Sequence, residues 1–402
     1  MMSKLASRWF LVALGIIALV SLVRILTGTD DLTSPGTIRA AIIATCPILL
    51  AGLGGLWAER AGVVNIGLEG QMIMGTWGAA FFTYHYGPWV GIIGAALLGL
   101  VGGLLHAIAT VTFGVDHIVS GVAINLIGLG ATTYLAEATF TDLQGGGPRQ
   151  LNGLDTPTNI TIPGISDAAL NLADRHWFVV SDVASALAAL TTRISTLSLV
   201  VFALVAISAW ILFRTAFGLR LRSCGENPQA AETLGINVYR YKYVAVLISG
   251  ALAGMGGGFL ALVSSSGFTT GQTGGRGYIG LAAMIFGNWR PGGLLIGALT
   301  FGYTDALRLR DTDAVHSLLL LVAVGLIGFA AWRAYRKQIH GAVIIGAIGV
   351  AVGAWFLLTD TVPREFAGMT PYVTTLFVLA LGAQRLRMPA ADGKPYRKGS
   401  AG

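Results

Sequence analysis

Runs of about 20 apolar residues recur along this chain, and they decide what it can fold into, because a helix needs roughly that many to cross the hydrocarbon core of a bilayer. The expected spans are 8–27, 38–57, 66–86, 88–113, 117–136, 194–214, 241–263, 291–308, 316–334, 341–358 and 371–384. The segment 278–288 is too short to span alone and reads as a half-helix stopping at Asn288-Trp289-Arg290-Pro291. Only 11% of the 402 residues are charged and 54% are hydrophobic, whereas a soluble domain carries about a quarter charged residues. So few charges cannot cover a water-facing surface. The expected fold is an all-α integral membrane protein, one transmembrane domain over 1–402 with about 10–12 transmembrane helices and broken half-helices.

The 56 glycines show no Gly-X-Y period and lie inside the apolar runs, where small residues let helices approach closely in lipid. Cys46 and Cys224 are expected to be free thiols. The formal charge of +7 would suggest nucleic acid in a soluble protein; here its distribution over the loops matters more, and no nucleic-acid partner is expected. Arg and Lys gather in 214–242, 333–337 and the tail 385–402, and acidic residues in the opposite loops. The positive-inside rule then puts both termini and the 215–240 loop in the cytoplasm, with the chain in the cell (inner) membrane and lipid around it. The loop 137–193 falls outside; its Gly, Pro, Asn and Asp read as turns. Residues 314–369 add two apolar spans with Arg333, Arg336 and Lys337 between them.

The stretch 58–75, Ala-Glu-Arg-Ala-Gly-Val-Val-Asn-Ile-Gly-Leu-Glu-Gly-Gln-Met-Ile-Met-Gly, is too charged for a plain membrane helix and too apolar for a loop. Glu59 and Arg60 are expected on the cytoplasmic side, as a local ion pair or at the ATPase-facing surface. An ionisable group inside a membrane segment is costly and flags a pathway. Glu69 lies one turn into its span, and Asn65, four residues earlier, would share its face. Two compatible roles follow: an acceptor and amide for a neutral hydrogen-bonding solute, or a carboxylate that caps and braces a broken helix. Gln71 and Asn125 are further pathway candidates, with Trp77 and Phe81 as aromatic surface. Part of the stretch recurs as Ile279-Gly-Leu…Met284-Ile-Phe-Gly-Asn-Trp289, which suggests an inverted repeat of the kind transporters use around a midplane site. The six histidines are expected mostly near span ends, as interfacial anchors.

In 217–240, Asn227 is a good N-cap, Pro228 suits the first helical position and Gly235 the residue after the end. The implied helix, 228–234, is too short to be stable alone, and Ala230, Ala231 and Leu234 are expected to form one packing face. The segment Gly218-Leu-Arg-Leu-Arg…Gly225-Glu226-Asn227-Pro228…Ala230-Ala231-Glu…Leu234-Gly235-Ile-Asn-Val, running into Ser249-Gly-Ala-Leu-Ala-Gly254, resembles the coupling loop of ABC-importer permeases of the branched-chain amino acid/ribose group. The 58–70 stretch, Gly275-Arg-Gly-Tyr-Ile-Gly-Leu through Pro291, and the Gly393-Lys-Pro-Tyr-Arg tail resemble its nucleoside/simple-sugar uptake branch. The relatives carry only a short connector where this chain has 314–369.

The resemblance implies a permease subunit moving nucleosides or related small sugars by alternating access. It also implies a separate ABC ATPase, a second and non-identical permease, and an extracytoplasmic solute-binding lipoprotein. The ATPase would bear on Gly225, Glu226, Asn227, Pro228, Ala230, Ala231, Leu234 and Gly235. The chain has no phosphate-cradling G-x-x-x-x-G-K-[ST] loop, so ATP and Mg belong to that partner and no cofactor is expected here. It also lacks a Cys/His metal cluster, H-E-x-x-H and G-x-S-x-G, so no metal or catalytic residue is expected. An autonomous secondary transporter or channel for a small polar solute is the competing reading, and an intramembrane enzyme a third with no motif behind it.

Overall fold

The computed structural model describes residues 15, 17–310, 312–363, 366, 369 and 386–399. The expected span 371–384 lies outside the described residues, as does the first half of 8–27. The helices, in chain order, begin with α1 (Ile17–Thr27). They continue as α2 (Pro35–Arg60), α3 (Leu68–Tyr86), α4 (Pro88–Ala107), α5 (His117–Phe140), α6 (Ile165–Ala173), α7 (Val180–Thr191) and α8 (Thr196–Arg214). Then follow α9 (Ala216–Glu226), α10 (Pro228–Thr233), α11 (Val238–Phe259), α12 (Arg276–Phe286), α13 (Pro291–Arg310), α14 (Thr312–Tyr335) and α15 (Ile339–Leu358). This is an all-α integral membrane protein. Among the described residues seven helical stretches are long and apolar enough to cross a bilayer: Asp30–Arg60, Pro88–Thr112, His117–Phe140, Thr196–Arg214, Val238–Ser264, Asp313–Tyr335 and Ile339–Leu358. α3 and α13 coincide with the expected spans 66–86 and 291–308 but carry more polar residues.

The chain divides into two compact units. One comprises 1–41, 160–194 and 303–374. In it the Asp182 carboxylate accepts from Ser21 and Thr33 and lies 3.4 Å from Arg24 Nε, with both charged side chains almost wholly buried. Arg24 also donates to the carbonyls of His176 and Trp177. This network ties α1 to α7 and to the turn between α6 and α7, and the expected external loop 137–193 is partly helical. Its turn-forming residues hid two short helices whose apolar faces are read only once they are packed.

The other unit comprises 42–159, 195–302 and the tail. α3, α4 and α11 are in backbone contact: a β-carbon on Gly75 would lie 2.2 Å from the Gly254 carbonyl oxygen, and one on Gly99 2.2 Å from that of Gly250. α2 is largely buried. α5 turns one face to α3 and exposes Ile118, Val119, Val122 and Leu126 on the other, as expected of a helix that meets lipid or another subunit. α4 and α11 each end in a π turn, Ile108–Thr112 and Leu260–Ser264.

The expected break after α12 is present. Asn288 and Trp289 both have φ of +52°, a left-handed conformation that is costly for non-glycine residues. The sequence echo does not carry over to local structure. Its first copy, 66–77, opens α3, whereas the second, 279–289, runs from inside α12 past its end.

Candidate functional site

The candidate region is built where α2 stops and α3 starts. Gly62 has φ of +81°, and a β-carbon there would lie 3.2 Å from both Ala391 O and Gly225 Cα, so the turn at 61–67 needs glycine. Val64 is gripped on both backbone atoms. Its N–H donates to His117 Nδ1 (3.2 Å), and its carbonyl accepts from His106 Nε2 (2.9 Å). A carbonyl can only accept, so His106 carries its proton on Nε2 and its Nδ1 accepts from Ser120 (2.9 Å). These two histidines are buried structural clamps, not the interfacial anchors expected from their places near span ends.

Because the backbone between Gly62 and Gly67 is not helical, Asn65 and Glu69 do not share a helical face, contrary to expectation. Asn65 is fully buried and donates to Gln71 Oε1 (3.0 Å) and Ser249 Oγ (2.9 Å). Gln71, also fully buried, donates back to Asn65 at 3.4 Å. These two amides satisfy each other inside the fold. Glu69 points elsewhere. Its Oε1 accepts from Thr273 Oγ1 (2.6 Å) and the Gly275 N–H (2.8 Å), and its Oε2 from the Gly277 N–H (2.7 Å). The carboxylate thus caps the start of α12, where free N–H groups and the helix dipole favour an anion. A β-carbon on Gly277 would sit 2.7 Å from Glu69 itself.

Asn125 completes the junction from α5. Its Oδ1 accepts from the Gly70 N–H (2.7 Å), and its Nδ2 donates to Ile66 O (3.1 Å) and to the Tyr278 hydroxyl (2.8 Å). Tyr278 is 46% exposed, so Asn125 and Tyr278 form the accessible polar edge of an otherwise closed knot. Trp77 stacks on Phe81 (5.1 Å between centroids) and Phe140 (6.1 Å). Its indole Nε1 is buried and has no partner among the described residues. Thr273, Tyr278, Ser249 and the two histidines carry no local sequence signal. They meet this knot across gaps of tens to hundreds of residues.

Glu59 and Arg60 do not pair with each other. Glu59 is buried and accepts from Trp289 Nε1 (2.5 Å), while Arg60 donates to the Trp289 carbonyl from Nε (2.9 Å) and Nη2 (2.6 Å). The expected surface pair is instead the clamp on the α12–α13 break. Arg60 also lies 3.9 Å from Glu226.

α10 forms as its caps predict. Asn227 Oδ1 accepts from the Ala230 N–H (3.0 Å), Pro228 opens the helix, and Gly235 follows with φ of +80°. The expected packing face divides, however. Ala231 is buried with Cys224, Val238 and Tyr396, whereas Ala230 is exposed and Leu234 is 80% exposed. Gly225 fits against Arg60, where a β-carbon would lie 2.3 Å from the Arg60 carbonyl oxygen. Cys46 and Cys224 are free and buried; burial pushes the Cys224 thiol up to about 11, so it stays protonated and unreactive.

A polytopic helical protein with a polar knot between two helix starts, and a capped two-turn helix presented on a loop, has the parts of a transport permease. The family described as branched-chain amino acid transport system, permease component, matches residues 37–348, and the chain belongs to it. The chain is 34% identical over 370 residues to the guanosine ABC transporter permease NupQ of Bacillus subtilis, covering 90% of this chain and 96% of that one. It is 34% identical over 365 residues to the nucleoside ABC transporter permease NupC of Lactococcus lactis, covering 89% and 95%. A putative glucose ABC transporter permease of Haloferax volcanii, TsgC13, is 33% identical over 278 residues, 69% of this chain and 78% of that one. No solved structure matches the chain.

Proposed function

We propose that this chain is the permease subunit of an ATP-driven importer for nucleosides. The observation that carries the reading is the match, over about nine-tenths of both chains, to two nucleoside permeases. The glucose relative covers less of this chain, and a ribosyl group shares the hydroxyl chemistry of a sugar. Asn125 and Tyr278 offer an amide and a phenol to such a solute at the accessible edge of the knot. Glu69 is an inner member, open to solute only when α3 and α12 separate, and Asn65 and Gln71 lie behind it against Ser249 of α11. Phe81, half-buried, supplies aromatic surface on which a base can stack, and Trp77, buried against Phe81 and Phe140, backs it.

ATP is hydrolysed on a separate subunit with its own Mg, which bears on α10 through Ala230 and Leu234. A second, non-identical permease and an extracytoplasmic binding lipoprotein complete the complex. The basic 215–240 loop and both termini lie in the cytoplasm. This chain carries no covalent chemistry. The test is guanosine uptake into proteoliposomes holding the reconstituted complex, with ATP inside. Uptake that needs ATP and the ATPase is expected; uptake that continues without either overturns the reading.

A further inference from the structure

We propose that the C-terminal segment 386–399 is a coupling strap, with Tyr396 as its positioning residue on α10. The strap would carry movement of that helix directly to the 61–65 turn and the α12–α13 break. This rests on the function proposed above.

The strap touches four places: α10, the preceding hairpin, the 61–65 turn and the helix break. On α10, Tyr396 donates to Glu232 Oε2 at 2.6 Å, and its ring meets Tyr239 at the start of α11 at 5.3 Å. On the preceding hairpin, the Ala391 N–H donates to Gly225 O (2.9 Å) and the Ala390 N–H to Glu226 Oε2 (3.2 Å). At the 61–65 turn, the Ala391 carbonyl lies against Gly62, and Gly393, with φ of +75°, lies against Val64. At the helix break, the Arg387 N–H donates to Asn288 Oδ1 at 2.7 Å.

Asp392 carries the strap's buried carboxyl group. It sits among Glu59, Lys242 and Arg60, and Lys242 Nζ donates to Gly62 O at 3.1 Å. A free tail would not bury a carboxylate in such a place, so this segment is seated.

The mechanical argument starts from α10. It has six residues, and Ala231 is its one buried residue. A helix that short has little stability of its own and moves with whatever holds it. Its covalent neighbours α9 and α11 are one route inward. The strap is the other: it runs beside the α9 contacts of Gly225 with Gly62 and of Glu226 with Arg60, and it touches α10, the turn that precedes Asn65 and the break gripped by Glu59 and Arg60.

The experiment uses the complete reconstituted importer and reads guanosine uptake and ATP hydrolysis together. Tyr396→Phe keeps the ring and removes only the hydroxyl. Losing one charge-assisted bond of about 1.5 kcal/mol corresponds to roughly a tenfold change. Uptake per ATP should therefore fall about tenfold in Tyr396→Phe and in Glu232→Ala, with hydrolysis held within about twofold. Glu232→Gln retains an acceptor and should restore the ratio. The double variant Tyr396→Phe with Glu232→Ala should be no worse than either single one. An unchanged ratio in both single variants overturns the proposal, as does a proportional loss of uptake and hydrolysis. A wild-type complex that shows no ATP-dependent uptake instead overturns the proposed function. The strap then has a separate readout, the distance between spin labels at Thr233 and Lys398. It should stay fixed when nucleotide is added to the ATPase complex, and a changed distance overturns the strap.

Discussion

The Glu69 carboxylate accepts three hydrogen bonds from the 273–277 segment, and each donor is stranded if it is removed. A buried polar group left without a partner costs about 1–3 kcal/mol. Glu69→Ala should therefore lower the melting temperature in detergent markedly. Glu69→Gln must turn an amide N–H towards one of three donors and should lower it less. If the carboxylate only braces α12, Glu69→Gln reduces maximal uptake without changing the half-saturating guanosine concentration. A raised half-saturating concentration with unaltered stability would assign Glu69 to the solute instead. A second residue-scale prediction concerns Asp392, whose carboxyl is raised from 3.8 to about 7, chiefly by burial, with Glu59, Lys242 and Arg60 partly opposing the shift. Between about 4 and 7 the seated tail keeps its proton while a freed tail loses it. Seating is thus strongest below that window, weakens as pH rises through it, and is flat above it. Hydrogen exchange of 388–399 in the intact complex, corrected for intrinsic rates, should show this, and Asp392→Asn should abolish it; a pH-independent wild type would refute it.

Elements with local signals were legible, and those fixed by distant partners were not. Asn227, Pro228 and Gly235 mark α10 because caps act within a turn, and Pro291 marks the break for the same reason. For Glu69 the sequence left two roles open, solute acceptor or helix brace, because its partners Thr273, Gly275 and Gly277 lie some 200 residues away. The i,i+4 rule misled for Asn65 because it holds only inside a helix, and Gly62 and Gly67 end one there. The roles of Glu59 and Arg60 depend on Trp289, some 230 residues away, and no periodicity announces that. At this scale Asn227→Ala should cost about 1 kcal/mol, much for a two-turn helix. The expected result is weaker binding of the proposed ATPase subunit in a pull-down, with the melting temperature of the permease itself unchanged. Ala231→Asp would place a carboxylate against Cys224, Val238 and Tyr396 and should abolish uptake outright. Normal uptake by Ala231→Asp would mean that α10 tolerates loss of its only buried anchor.

For the molecule as a whole, composition alone announced a membrane protein, because 11% charge leaves no aqueous surface to build. What composition could not announce is where the few charges are kept. Asp182 and Arg24 are almost wholly buried, joined to each other and to Ser21, Thr33 and two backbone carbonyls, and they hold α1 to α7 and to the turn that precedes it. Removing one partner of a buried ion pair typically costs 3–5 kcal/mol, because the other charge stays buried and uncompensated. Replacing both by apolar groups is often close to neutral. Asp182→Ala should therefore cost about 3 kcal/mol or more and speed hydrogen exchange across 17–27 and 165–191. Arg24→Met combined with Asp182→Leu should recover most of the protection. If the double variant is as unprotected as Asp182→Ala, the network matters through its hydrogen bonds to Ser21 and Thr33, not its charge pair. If neither variant exchanges faster, these helices are held by apolar packing alone, and the buried charges do not brace this unit.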